Sequence, residues 1–483
     1  MFRDKTSQTL LLLATVLPEA MIETMLAPLL PFIVRTLSSD LPANQIEGQI
    51  GGRAGLMTAV FYFPLLLMNL VWGTLSDSIG RKPFLLVGLF FCGLTTFILG
   101  INTTSFTIAL LCRFTAGVFG GNSTIAKGGL GEIHLDEAGR SWAYSTYGSL
   151  YALSGIVGPV IGGILVSSPT SNTSKNAQKY PYLTTCLFGA GLSALVCVVA
   201  HLFFCEPKEL LYAHAREDSV VEEEGEDDSE GSKTVAKSGR KVPVLELLGE
   251  ICTVKGGRQM FANLCEPVTP ALMFSIILYV FIAFCSMSWV TILPLLFATD
   301  PKYGGLGFSP FDSSFAMTFS AFSELFFQSI LGQRTVLALG LNRTFCLGMA
   351  VTIPATVLVG LLGGSTSTAT WYSVMFCMIL FGFINAMAYL SVIVMISDSV
   401  APASLGAAHG LAATCAAVVR TFSPPLSGYA WSFASTTVQA PVVAFLPAQV
   451  AAVAAIGVAV WGAAQRPKRV QYAVVHHESY ELE

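Results

Sequence analysis

The chain has 483 residues, of which 53% are hydrophobic and only 12% are charged. Soluble domains carry about 25% charged residues, so this composition excludes an ordinary soluble protein and favours a membrane protein. The net charge of −4 is small and lies mostly in one loop, so nothing in it predicts a nucleic-acid partner.

About twelve stretches of the chain are long and apolar enough to cross a bilayer, which requires about 20 mostly apolar residues. They predict an all-α, multi-pass membrane protein with the lipid bilayer as its partner. Predicted helices 1 to 12 cover residues 8–34, 52–76, 83–101, 105–127, 141–166, 181–205, 271–298, 310–332, 341–362, 368–397, 404–432 and 440–464.

The distribution of basic residues predicts the orientation in the membrane. If the N-terminal residues 1–7 are cytoplasmic, the loops on that side carry most of the Lys and Arg, including Arg81 and Lys82. Such a bias marks the cytoplasmic face of a membrane protein. Both residues 1–7 and the tail 465–483 are therefore expected in the cytosol.

Residues 206–270 separate an N-terminal half, 8–205, from a C-terminal half, 271–464. The separating segment has an acidic run followed by a basic stretch. Such a composition cannot build a packed core, so the segment is expected to be a largely disordered cytoplasmic linker. It is either a plain tether between two six-helix halves or a segment used for phosphorylation or sorting.

A short polar loop joins predicted helices 2 and 3. Its notable residues are Gly73, Asp77, Gly80, Arg81 and Lys82. Charges this dense are expensive in hydrocarbon, so the loop must turn at a membrane surface, and Gly80 permits a turn that other residues resist. One interpretation is that the basic residues serve only as topology determinants. Alternatively, the loop is a gate, with Asp77 directed at a helix N-terminus and Arg81 at a nearby carboxylate.

The two halves contain repeated residues. Each repeat is a Pro or a Gly within a predicted helix, and its two members are separated by 265 or 266 residues. The pairs are Pro159 and Pro424, Gly117 and Gly382, and Pro28 and Pro294. These repeats predict two pseudo-symmetric halves with a substrate site near mid-membrane between them.

Helix 5 is rich in small residues at helical spacing. Small residues let helices approach closely, and proline bends a helix. This pattern indicates close packing, and it leaves open whether the packing also seals one conformation of the protein. The residues are Gly148, Gly155, Gly158, Pro159, Gly162 and Gly163, of which Gly155, Pro159 and Gly162 are expected to share a face.

Five charged residues lie well inside predicted helices, away from their ends, where contact with lipid is costly, so each should face a cavity or a partner. They are Glu19 and Glu23 in helix 1, Arg113 in helix 4, Glu324 in helix 8 and Arg420 in helix 11. A carboxylic acid in an apolar cavity favours its neutral form, more so beside a second carboxylate. Glu19 or Glu23 is therefore a candidate proton carrier, with Arg113 as a nearby switch. Static ion pairs, of Arg113 with one of these Glu residues or of Arg420 with Glu324, are the alternative.

The pattern G-x-x-x-D-x-x-G-R-K at residues 73–82 resembles the signature loop between helices 2 and 3 of the major facilitator superfamily. The helix 5 glycines resemble a motif of its proton-coupled antiporters. The resemblance narrows to the zinc-induced-facilitator-like transporters and their fungal relatives, near the tetracycline-resistance-type exporters. The residues that carry it include Glu19, Thr24 and Pro28, residues 72–83, 131–133 and 180–182, and the loop 303–308.

This resemblance implies the twelve-helix major facilitator fold and a secondary active transporter in the vacuolar or plasma membrane, functional as a monomer. It implies antiport of protons against a small molecule: a drug-like compound, an organic anion or a metal chelate. An uncoupled facilitator and a transport-incompetent nutrient sensor are the alternatives. No enzyme activity and no cofactor are predicted. No metal site is predicted either, since the eleven Cys are scattered and typical of core residues.

Overall fold

The computed structural model describes residues 4–38, 41–134, 137–166, 179–207, 269–400 and 405–465. These residues form twelve helices, which confirms the predicted all-α fold. Helices 1 to 12 cover Lys5–Leu37, Ala43–Ile79, Arg81–Ile101, Phe106–Phe119 with Asn122–Ile133, Glu137–Leu165, Leu183–Phe203, Pro270–Ala298, Pro310–Phe326 with Gln333–Leu339, Leu341–Leu361, Thr368–Ser397, Leu405–Phe433 and Leu446–Gln465. Most of the predicted linker and the tail after residue 465 lie outside the described residues, so the predictions for them stay predictions.

Local chemistry explains where several helices begin and break. Thr269, Ser309 and Ser367 each accept a hydrogen bond from the backbone amide three residues further on, at 3.1, 3.1 and 3.2 Å. Such caps satisfy amides that lack a partner within the helix. Helix 1 is interrupted near Pro18 and Pro28, because proline has no amide hydrogen to donate.

Nine helices in the described part of the chain are long and apolar enough to cross a membrane. The other three, helices 4, 8 and 11, are those that carry Arg113, Glu324 and Arg420. Helix 4 breaks between Phe119 and Asn122, and helix 8 widens into a π-helical turn over Phe327–Gly332, three residues after Glu324. Such turns are frequent at functional sites.

The two halves make equivalent contacts. Gly117 of helix 4 packs against the backbone of Phe61 in helix 2, and Gly382 of helix 10 packs against the backbone of Ser320 in helix 8. The two glycines are one of the repeated pairs found in the sequence, so these contacts confirm the pseudo-symmetry. An even number of helices puts both described ends on one surface. We call this surface the terminal side and the opposite one the far side.

The halves touch closely on the far side. Gly51 of helix 2 meets Gly428 of helix 11 backbone to backbone, and Gly163 of helix 5 meets Ser314 of helix 8. Towards the terminal side, Gly148 of helix 5 has no atom within 4 Å of the position that a Cβ would occupy. These glycine contacts close the far side, and no described glycine joins the two halves on the terminal side, which is therefore the more open one.

The end of helix 7 shows how the far side is held together. The last four carbonyl groups of a helix lack partners within it. Three of these carbonyls accept from the backbone amides of Thr299 and of the loop 303–308, at 2.7 to 3.0 Å. The fourth, on Ala298, accepts from Nη1 of Arg35 at 2.9 Å, and Nη2 of Arg35 binds Glu47 at 2.8 Å. Arg35 and Glu47 belong to the first half, so this link joins the two halves.

Candidate functional site

A cavity of about 290 Å³ lies between the halves, near the middle of the helices. Helices 1, 2, 4 and 5 form one wall, and helices 7, 8 and 10 form the other. Most of the wall is apolar. The side chains that give it charge or strong hydrogen-bonding capacity include Glu23, Tyr62, Arg113, Glu324 and Asn385. Three of the five predicted intramembrane charges thus line a single cavity.

Groups from both halves meet at Glu23. The Tyr62 hydroxyl, on helix 2, donates a hydrogen bond to a carboxylate oxygen of Glu23. Arg113 of helix 4 and Arg420 of helix 11 both interact electrostatically with Glu23 and Tyr62. Arg420 belongs to the second half, so the charge of Glu23 is linked to the relative position of the halves.

Glu19 lies one helical turn away, in a smaller pocket of about 30 Å³ inside the first half. Its carboxylate interacts with the backbone amide of Ser123, where the second piece of helix 4 begins, and with Lys127. A helix N-terminus stabilises negative charge. Glu23 lines both the smaller pocket and the central cavity. Glu19 lines the smaller pocket and not the central cavity. Glu23 is therefore the carboxylate that connects them.

Arg113 is held by the first half. It is 9% exposed, its guanidinium lies 4.5 Å from the centre of the Phe61 ring, and its Nε donates to the Met57 carbonyl at 3.4 Å. A direct ion pair of Arg113 with Glu19 or Glu23 is not among those that the described residues form. This static alternative from the sequence is not formed in this conformation.

Glu324 faces the cavity without a partner. It lies on helix 8 and is half-buried. Among the described residues no hydrogen bond or ion pair reaches its carboxylate, and the predicted alternative of a pair with Arg420 is not formed. Arg420 instead interacts with Tyr389, Tyr279, Tyr62 and Glu23.

The loop between helices 2 and 3 is tied down by two carboxylates. Arg81, 4% exposed, donates from Nε and Nη2 to the two oxygens of Glu132, at 2.8 and 2.9 Å. Glu206 accepts from the backbone amides of Arg81 and Lys82, at 2.6 and 3.1 Å, and so caps helix 3. Gly80 has a φ of +121°, as its predicted role in the turn requires.

The remaining loop residues join neighbouring helices. Lys82 donates from Nζ to the Phe204 carbonyl at 2.6 Å. A Cβ on Gly73 would lie 3.9 Å from Thr124 of helix 4. The side chain of Asp77 lies outside the described residues, so its predicted contact with a helix N-terminus stays a prediction.

The helix 5 glycines divide between two neighbours. Gly158 and Gly162 pack against helix 1, where a Cβ on Gly162 would lie 2.8 Å from the carbonyl oxygen of Met25. Gly155 and Pro159 instead line the central cavity. The face predicted to be shared by Gly155, Pro159 and Gly162 is thus split between the cavity and helix 1.

Two helix 5 glycines contact the other half directly. A Cβ on Gly155 would lie 3.4 Å from Cβ of Ala321, and one on Gly163 would lie 2.7 Å from Cβ of Ser314, both on helix 8. Gly148 faces open space. The far-side part of the motif therefore forms the seam between the halves in this conformation.

Sequence reasoning missed several residues of the site. Tyr62 and Glu206 carried no signal, because tyrosine is common in apolar helices and Glu206 opens an acidic segment. Glu132 entered only through the family resemblance. The helix 2 stripe of Gly48, Gly51, Gly52 and Gly55 had a signal in its three- and four-residue spacing, which matches one face of a helix.

The described residues contain no group of three or more His, Cys, Asp or Glu side chains that could hold a metal ion. Of the nine described cysteines, four are buried and five are partly buried. The four buried ones, Cys112, Cys186, Cys285 and Cys377, are core residues of the structure.

Two pseudo-symmetric six-helix halves around a central cavity that contains charged side chains define a transmembrane transporter of the alternating-access class. The family comparison agrees: residues 12–424 match the model of the Major Facilitator Superfamily. The chain belongs to this family, whose members are transporters and not enzymes.

The relatives lie in the predicted branch of the family. The chain is 25% identical over 436 residues to the protein ZINC INDUCED FACILITATOR-LIKE 1 of Arabidopsis thaliana, covering 88% of this chain and 83% of that protein. It is 26% identical to the Aspergillus fumigatus multidrug transporter mfsB, covering 78% and 70%. These matches confirm the resemblance to zinc-induced-facilitator-like and fungal transporters.

Solved structures share the fold. The human organic anion transporter MFSD10 (TETRAN) superposes with a TM-score of 0.61 at 14% identity, covering 94% of this chain and 99% of that one. A D-xylose-proton symporter gives 0.64 at 12% identity, covering 94% and 96%. At these identities the likeness establishes the fold alone.

Proposed function

We propose that the chain is a proton-coupled antiporter that exports or sequesters a small solute by alternating access. The observation that carries this proposal is the position of Glu23, which lines both cavities and lies near a cation from each half. When the halves rock, the distance from Glu23 to Arg420 changes. Proton binding at Glu23 and the conformation of the protein are then linked.

The proposed cycle follows from the open side. The basic-residue bias supports a cytosolic terminal side, so this conformation would receive solute from the cytosol. In this conformation Arg113 and Arg420 both lie near Glu23. Opening of the far side moves Arg420 away from Glu23, and the proposed proton exchange follows this change in distance. In this proposal the solute is a drug-like compound, an organic anion or a metal chelate. The protein lies in the vacuolar or plasma membrane and works as a monomer.

The test is solute flux into proteoliposomes, with and without an imposed pH gradient, for the parental protein, Glu19→Gln, Glu23→Gln and the double variant. Glu23→Gln should lose most of the gradient-driven accumulation, because a glutamine cannot release a proton. Glu19→Gln should lose less, because Glu19 faces the smaller pocket. Full gradient-driven accumulation in the double variant would contradict the proposal.

The same experiment separates the alternatives. An uncoupled facilitator moves solute at the same rate with or without the pH gradient. A nutrient sensor binds solute but gives no flux in either condition. The intramembrane carboxylates favour coupled transport over both, since a facilitator has no need of groups that are costly to bury.

A further inference from the structure

The two carboxylates that line the central cavity have opposite surroundings. Glu23 accepts a hydrogen bond from Tyr62 and lies near the cations Arg113 and Arg420. Glu324, on the facing half, has neither a hydrogen bond nor an ion pair among the described residues. The charge of Glu23 is thus balanced within the protein, and the charge of Glu324 is not.

The backbone around Glu324 is fixed. A Cβ on Gly382 of helix 10 would lie 2.6 Å from the Glu324 amide nitrogen, so the two helices are in close contact at this point. The preceding residue, Ser323, donates to the Ile379 carbonyl of helix 10 at 2.8 Å. Helix 8 is therefore clamped to helix 10 where Glu324 enters the cavity.

The wall beside Glu324 is apolar and adaptable. Met287 and Val290 of helix 7 and Met317 of helix 8 line the same cavity, and methionine adjusts to ligands of different shape. An isolated charge in such surroundings is costly unless a partner supplies the opposite charge. A ligand with a positive charge and an apolar body satisfies both parts of the cavity at once.

We propose that the substrate is an amphipathic organic cation, an amine or quaternary ammonium, whose charge pairs with Glu324 and whose apolar part lies against Met287, Val290 and Met317. This proposal rests on the proposed transport function and names its substrate class. It assigns Glu324 to substrate recognition and leaves Glu23 to the proton. Organic anions and neutral chelates are then weak ligands of the same cavity.

The test is equilibrium binding to the purified full chain in detergent at one fixed pH. The probes are phenyltrimethylammonium and benzenesulfonate, which share a phenyl ring and a tetrahedral head group and differ in the sign of their charge. The parental protein should bind the ammonium at least tenfold more tightly, about 1.4 kcal/mol. Glu324→Gln should abolish this preference, and Glu324→Asp should keep most of it. Equal binding of the two probes, tighter binding of the sulfonate, or binding of neither would overturn the proposal.

Two controls make the result specific. Lys302→Gln should retain the preference for the ammonium, because Lys302 is 65% exposed and does not line the cavity; loss of the preference in this variant would overturn its assignment to the cavity. Thermal unfolding shows whether Glu324→Gln is folded, and Glu324→Asp tests the charge if it is not. The binding assay has no pH gradient. If the ammonium preference is absent but gradient-driven flux is intact, the substrate class alone is contradicted. If the ammonium preference is present but flux does not depend on the pH gradient, the coupling alone is contradicted.

Discussion

At the scale of single residues, the buried guanidinium of Arg81 carries more contacts than a topology signal needs. It binds both oxygens of Glu132 and donates from Nη1 to the Ile125 carbonyl at 3.0 Å. Arginine binds a carboxylate with two parallel hydrogen bonds, which fixes direction as well as distance. The loop between helices 2 and 3 is thereby anchored to helix 4.

Arg81→Ala is expected to lower both thermal stability and transport. The substitution leaves Glu132 and the Ile125 carbonyl without their donor, at a cost of about 1–3 kcal/mol. Lys302→Ala is the matched control, because Lys302 is 65% exposed and lies 3.8 Å from Asp300, and such surface pairs contribute about 0–1 kcal/mol. The measurements are the unfolding temperature and the initial rate of uptake. If Arg81→Ala has the unfolding temperature and the uptake rate of the parental protein, Arg81 serves only as a topology determinant.

The sequence identified the charged residues of the site but not their partners. Glu19, Glu23, Arg113, Glu324 and Arg420 stand out because a charge within an apolar helix is costly. Periodicity gives the face of a helix on which a residue lies and not the helix that this face meets. The electrostatic contact of Arg420 with Glu23 in the other half, and the hydrogen bond from Tyr62, therefore needed the structure.

At the scale of elements, helix 5 has two distinct contacts that the sequence merged into one motif. Gly158 and Gly162 pack within the first half, against helix 1, and Gly163 packs across the seam, against helix 8. Contacts within a half persist while the halves rock, whereas contacts across the seam form in one state and break in the other. Substitutions at the two kinds of position should have different effects.

Gly163→Leu is expected to favour opening of the far side and to slow transport, because the larger side chain overlaps helix 8 only when the seam is closed. Gly158→Leu should instead reduce folding yield, since it overlaps helix 1 in every state. Gly148→Ala, which faces open space, should change neither. Distances between spin labels placed on the far-side ends of helices 5 and 8 report the opening.

For Gly163→Leu, a distance distribution that matches the parental protein would show that the seam tolerates the side chain and that helix 5 seals nothing. The folding yield of Gly158→Leu, measured by size-exclusion chromatography, is independent of that outcome.

Helix positions were largely predictable, and helix breaks were not. Hydrophobic length gave all twelve helices, because a bilayer sets the number of apolar residues that each needs. Helix 2 begins at Ala43, nine residues before the predicted start, because its first turns carry polar residues such as Gln45 and Glu47. The π-helical turn of helix 8 has no signal in hydropathy, because it depends on packing around Phe327–Gly332.

At the scale of the whole molecule, Arg35 links the two halves on the far side. It binds Glu47 of helix 2 and donates to the Ala298 carbonyl. Of the last four carbonyls of helix 7, this is the one that the backbone amides of Thr299 and of the loop 303–308 leave unbonded. Other contacts between the halves include the backbone contact of Gly51 with Gly428 and a hydrogen bond from the Thr318 hydroxyl to the Ile156 carbonyl at 3.4 Å. Arg35 thus adds a directional, charged contact to this seam.

Arg35→Gln is expected to shift the protein towards opening on the far side. Charge-assisted hydrogen bonds contribute about 1.5–3 kcal/mol, reduced here because the Arg35 side chain is 33% exposed, so a several-fold change in population follows. Single-molecule fluorescence transfer between labels on the far-side ends of helices 1 and 7 measures it. Lys302→Gln, on the same side, is the control and should leave the populations unchanged; an identical result for Arg35→Gln would exclude a role for this link.

The exposure of this link makes the protein sensitive to the salinity of a single compartment. The Arg35 and Glu47 side chains are 33% and 14% exposed to the solution on the far side, and dissolved ions weaken partly exposed pairs within a Debye length of about 8 Å at physiological salt. Ions on the terminal side lie a membrane thickness away and leave the pair untouched. A higher salt concentration in the solution on the far side would therefore favour opening on that side, without any change at the central carboxylates.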